Sequence, residues 1–158
     1  MMITLQISRG DIVLKAKDET YLSARTILAV EVSNKDGRYE MQADERATHE
    51  RKLLSSIDVA VSALKAELNE YIITGDVNDQ NDIIDFSLDI YDSFRSERKG
   101  SLKTLFQDYI TKRVISEWWK ANYPQMATQY DELAERSLSQ LKRAFYYKGE
   151  AKPKKYGA

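Results

Sequence analysis

The sequence predicts a mainly helical α+β domain of antiparallel helices with a small β-sheet or hairpin and an extended C-terminal arm. Three observations carry this. Long stretches repeat apolar residues every three or four positions, two short stretches alternate apolar and polar residues, and the last helical stretch runs into a basic, aromatic tail, Leu141-Lys-Arg-Ala-Phe-Tyr-Tyr-Lys-Gly-Glu-Ala-Lys-Pro-Lys-Lys-Tyr156. Glycine favours the left-handed helix cap and proline cannot continue the ladder, so Gly149 and Pro153 hand the helix over to an arm. The boundary falls between a globular domain of residues 1–147 and an arm of residues 148–158.

Met2–Ile7 alternates and reads as a strand. Asp11–Ala24 follows as a helix, with Val13, Ala16, Tyr21 and Ala24 on one side and Ser8 or Asp11 as cap. Ile27–Val32 and Arg38–Met41 flank a segment containing Asp36-Gly37, a good turn former, and read as a hairpin. Asp44–Ile73 is the strongest helical signal: Leu53, Leu54, Ile57, Val61, Leu64, Leu68, Tyr71 and Ile72 form one seam, and Gly75 follows as a stop. Val59, Ala63 and Ala66 lie on its far side and permit close approach of a second helix.

Ile84, Phe86, Leu88 and Ile90 alternate with Asp85, Ser87 and Asp89 as a half-buried strand. A charged connector, Ser93–Ser101, leads through Gly100-Ser101 into the helix Leu102–Asn122. There Leu102, Leu105, Phe106, Tyr109 and Ile110 fall nearly opposite Val114, Ile115, Trp118 and Trp119, at about 100° per residue. Either the helix bends near Thr111–Arg113 or a second body covers one half. Adjacent helical side chains diverge, so one of Trp118 and Trp119 is expected in the core and the other at a partner. The short Asn122-Tyr-Pro124 connection makes Pro124–Tyr147, with its stripe from Tyr123 through Met126, Ala127, Tyr130, Leu133, Ala134, Leu138, Leu141 and Phe145, an antiparallel neighbour.

At 158 residues, with 42% hydrophobic and 31% charged residues, the chain suits a single domain with a solvated surface. No apolar run reaches membrane-spanning length and Met1–Ser8 lacks a signal-peptide layout, so no membrane partner and a cytoplasmic site of synthesis are expected. Without cysteine there are no disulfides, thiolate metal sites or thiol nucleophiles, and the single histidine, His49, reads as a surface residue.

Asp76-Val-Asn-Asp-Gln-Asn-Asp82 lacks glycine at its sixth position, Asn81, and glutamate at its twelfth, Ser87, so it does not fit a calcium loop. Asp85 and Asp89 read as a solvated strand face rather than a carboxylate pair, and six isolated glycines make no phosphate loop. No catalytic, cofactor or metal site is expected. The chain reads as a binding and assembly protein, not an enzyme.

Charge is uneven: six aspartates between Asp76 and Asp92 lie in a stretch without a basic residue, and Lys142, Arg143, Lys148, Lys152, Lys154 and Lys155 meet only Glu150. Opposite ends can attract between copies. The expected partner-binding residues are Trp118, Trp119, Lys142, Arg143, Tyr146, Tyr147, Lys148, Lys152, Lys154, Lys155 and Tyr156. The arm has too little apolar area to offset its ordering entropy alone and is expected to order on a protein, or to lie along nucleic-acid phosphates with its tyrosines stacking on bases.

The order of Met2-Ile-Thr-Leu-Gln-Ile-Ser8, Thr20-Tyr-Leu-Ser-Ala-Arg25, a long acidic-started helix, Asp85-Phe-Ser-Leu-Asp-Ile90, the Trp118-Trp119 helix and Leu141-Lys-Arg-Ala-Phe-Tyr-Tyr147 before a Lys-Pro tail resembles virion structural proteins of tailed bacteriophages. Within that class it looks most like head-to-tail connector (adaptor) proteins. The resemblance implies a homomeric ring under the portal, portal and tail proteins as partners, and a place in the virion after assembly in the host cytoplasm. The extra strands leave a tail-completion or neck protein, or a DNA-binding accessory protein using the basic tail, as alternatives.

Overall fold

The computed structural model describes residues 2–31, 47–72, 82–90 and 95–146. The two alternating stretches form strands β1 (Met2–Ser8) and β2 (Ile83–Asp89), paired antiparallel from Met2↔Asp89 to Ser8↔Ile83. Period-two alternation turns Leu5, Ile7, Ile84, Phe86 and Leu88 into the core and leaves Thr4, Gln6, Asp85 and Asp89 outside. β2 gains further pairing at its far end, where Ile72 bridges Leu88 and the Asp89 N–H donates to Tyr71 O at 2.8 Å.

Helix α1 (Arg9–Glu31) follows β1 directly. The Arg9 N–H donates to Asp82 O at 2.7 Å, the Gly10 N–H to Asp82 Oδ1 at 2.9 Å, and Ser8 Oγ donates to Asp82 Oδ2 at 2.7 Å while accepting from the Asp11 N–H at 3.3 Å. A residue more than seventy positions away thus completes the helix cap, where carboxylates also meet the positive end of the helix dipole. A β-carbon at Gly10 would stand 3.2 Å from Asp82 Oδ1, so glycine permits this close approach.

Ile27–Glu31, expected as the first arm of a hairpin, is instead the end of α1. Periodicity cannot tell a short apolar run from a buried helical one, and no glycine or proline interrupts it. The proposed second arm, Arg38–Met41, lies outside the described residues. Val13, Ala16 and Ala24 are buried as expected, but Tyr21 is exposed and Thr20 takes the inward position, donating to Lys17 O at 3.0 Å.

Helix α2 (Ala47–Glu67) ends earlier than the expected Ile73, because Leu68–Tyr71 form a turn and Ile72 joins the sheet, and the expected start at Asp44 lies outside the described residues. Leu53, Ile57, Val61, Leu64 and Leu68 make the seam, whereas Leu54 is exposed. Arg9–Asp58 at 3.2 Å and Lys17–Glu50 at 2.9 Å set α1 and α2 antiparallel.

A 3₁₀ turn, Ser96–Arg98, leads into α3 (Lys99–Trp119), which starts before Gly100-Ser101 rather than at it and ends before Asn122. Leu102, Phe106, Tyr109 and Ile110 on one side and Val114, Ile115, Trp118 and Trp119 on the other are all buried. α3 contacts α1, α2, α4 and β1, so its opposed faces are both covered within one protomer. Neither a partner nor a break is needed.

Helix α4 (Pro124–Tyr146) follows a tight turn in which the Tyr123 N–H donates to Trp119 O at 2.7 Å. Contacts of Arg113 with Asp131 and of Phe106 with Phe145 show the antiparallel arrangement with α3. Leu133, expected in the stripe, is 37% exposed.

Thr111 Oγ1 and Trp119 Nε1 are buried without a hydrogen-bond partner among the described residues. Thr111→Val keeps the shape and removes the unpaired hydroxyl, so it should stabilise the fold by about 1 kcal/mol in urea unfolding. The contacts around Asp82, with the Ser8 hydroxyl first and the Gly10 N–H next, hold its carboxyl below the usual range. A depressed folded-state pKa adds stability above the unfolded pKa, and that stability is lost as pH falls through the folded value. Asp82→Asn should therefore lower the unfolding midpoint at pH 7, with the difference from wild type shrinking at pH below about 4.

Candidate interaction surface

Trp118 and Trp119 are 3% and 0% exposed, so neither is available to a partner, contrary to the expectation for one of them. Divergence of adjacent side chains forces one outward only when a helix has one covered face, and α3 is covered on several. Half-buried His49, expected on the surface, meets the Trp118 ring edge-on at 4.8 Å, and Lys52 Nζ stands 4.9 Å from the ring centroid. Trp118 thereby joins α2 to α3.

Lys142 Nζ reaches Glu67 Oε2 at 2.9 Å and ties α4 to the end of α2. Arg143 is exposed and lines a groove of about 390 Å³ with Glu135, Arg136, Ser139 and Gln140. Tyr146 is the last residue of α4, and Tyr147, Lys148, Lys152, Lys154, Lys155 and Tyr156 lie outside the described residues. The structure therefore places Lys142 and Arg143 on one end of the helical layer and does not bring them together with the tryptophans.

A polar cluster joins α1, α3 and α4. Lys112 Nζ contacts both Glu19 carboxylate oxygens at 3.0 Å, Ser23 Oγ donates to Glu19 O at 2.7 Å, and Tyr130 Oη lies 2.6 Å from Ser23 Oγ. Since the single Ser23 proton is directed at Glu19 O, Tyr130 is the donor in that contact. Burial pushes the Tyr130 hydroxyl above its ordinary pKa. Beside it, Asp131 accepts from Ser116 Oγ at 2.6 Å and Arg113 Nη1 at 3.2 Å. Each of these groups is partnered, which suits a set of helix ties. Among the described residues no group of acidic or histidine side chains could hold a metal ion, and no helix is long and apolar enough to cross a membrane.

The exposed apolar surface lies elsewhere. Leu14 and Leu22 are 60% and 58% exposed on α1, Tyr21 accompanies them, and Leu54 and Val59 are exposed on α2. Spacings of seven and eight place Leu14, Tyr21 and Leu22 on the side of α1 away from Ile12, Ala16 and Thr20. That second apolar stripe was the sequence signal for this ridge. No protein-family model, curated protein or solved structure matches the chain.

With both indoles in the core, Trp118→Ala and Trp119→Ala should each cost about 3–5 kcal/mol in urea unfolding. Lys142→Ala, which removes an exposed pair, should cost at most about 1 kcal/mol in the same measurement.

Proposed function

We propose that this chain is a non-enzymatic assembly subunit that forms a homomeric ring at the head–tail junction of a tailed-phage virion. The observation that carries the self-association is the α1 ridge: a helix whose inner face is already buried presents two leucines, each more than half exposed, to solvent. A surface of this kind gains free energy by burial at about 25 cal/mol per Å² of apolar area. Asp18, exposed between Leu14 and Leu22, and Lys15 nearby give the ridge a polar setting that orients a neighbouring copy. The placement at a portal rests on the resemblance in residue pattern, with the basic arm of residues 148–158 as the portal-docking element.

The test is the oligomeric state by native mass spectrometry and light scattering, with and without portal protein. The wild-type chain should form a closed ring, and Leu14→Glu with Leu22→Glu should yield folded monomers, since both positions are outside the core. A monomeric wild type that also ignores portal protein overturns the reading, and DNA affinity falling steeply with salt in that monomer favours nucleic-acid binding instead.

A further inference from the structure

We propose that the outer edge of β1 is a docking site for an extended acidic segment of another protein, which adds to the sheet as a third strand beside Lys99 and Lys103. The register decides which backbone groups are open. In an antiparallel pair, residues that exchange hydrogen bonds alternate with residues that do not. The Arg9 N–H donates to Asp82 O, and the ladder continues from that pair through Ile7↔Ile84, Leu5↔Phe86 and Ile3↔Leu88. Ile3, Leu5 and Ile7 thus turn their backbone groups to β2. Thr4 and Gln6 turn theirs the other way, to an edge with no strand on it among the described residues.

The opposite edge of the sheet behaves as this alternation requires, since Asp89, one of the outward residues of β2, donates to Tyr71 O. That edge is already engaged at one end. The β1 edge instead borders an open groove of about 400 Å³ lined by Thr4, Leu5, Gln6, Lys99 and Lys103. An added strand needs about 4.8 Å of lateral room and two or more outward N–H and C=O pairs, and Thr4 and Gln6 supply those pairs.

Charge selects the occupant. Lys99 and Lys103, four apart on the first turns of α3, are exposed and make no ion pair among the described residues. Carboxylates on the side of the incoming strand that faces α3 would meet both ammonium groups. Asp85 and Asp89 lie one strand further away, roughly 10 Å from the added strand, and repel it weakly through solvent. A second copy pairing β1 against β1 would bring four lysines together, so the charge that attracts an acidic strand disfavours self-pairing through this edge.

The probe is a fluorescent peptide of about six residues alternating threonine or valine with glutamate, added to the full chain and followed by anisotropy. Binding should weaken as salt rises, and the variant with Lys99→Glu and Lys103→Glu, both surface positions, should bind roughly tenfold or more weakly. Amide exchange of Thr4 and Gln6 should slow when peptide is added. The same peptide N-methylated at alternate residues, tested in both phases, should lose binding in at least one. No binding at about 1 mM peptide, an unchanged affinity in the double variant, or full binding by both methylated peptides overturns the proposal. Self-association of the free chain that protects Thr4 and Gln6 amides overturns it as well.

Discussion

The structure depends on α3 being covered from several directions. Its apolar residues surround the axis, so it has no stable solvent face along most of its length and requires α1, α2, α4 and β1 around it at once. A chain of rings runs through that arrangement. Tyr71 stacks on Phe145 at 4.6 Å, Phe145 meets Phe106 at 6.4 Å, and Phe106 meets Phe86 at 5.0 Å. The contacts join the end of α2, α4, α3 and β2, elements far apart in sequence. A two-stranded sheet is marginal in water by itself, and here Phe86 gains stability because Phe106 of α3 already lies against it, with α3 packed on β1 as well.

What was legible in the sequence follows from this. The strands could be read because only one face of the sheet is buried, which makes alternation at Met2–Ser8 and Ile83–Asp89 unambiguous. The α4 stripe could be read for the same reason. For α3 the opposed apolar faces were visible, but their meaning was not: a helix wrapped by one protomer and a helix shared between two produce the same pattern. One of the two indoles, Trp118 and Trp119, was placed at a partner on that account, although both are buried. Ile27–Glu31 was misread because an apolar run continuing a helix is as short as a strand. The Asp82 cap of α1 was invisible, since it joins residues over seventy positions apart and depends on the register of the two strands that end at Ser8 and begin at Ile83.

The two external features differ in the physics they exploit. The α1 ridge offers apolar area, which is non-directional and strengthens with salting-out ions. The β1 edge offers directional hydrogen bonds and two ammonium groups, whose contribution falls with ionic strength. Salt therefore separates them: association through the ridge persists or tightens in conditions that release an acidic strand.

The lysines at the edge bear on why no strand lies beyond β1 among the described residues. An open edge is a template for any extended chain, and proteins guard such edges with charge, lysine above all. A guard that relied on bulk or proline would close the edge to every strand. Lys99 and Lys103 exclude by sign instead, which leaves the Thr4 and Gln6 backbone open to a strand whose carboxylates neutralise them. Because both lysines project from the first turns of α3, the helix the whole core is built around, their position relative to β1 is fixed by the same packing that holds the sheet. The edge is then a prepared surface rather than a frayed one, and its selectivity is set by the core.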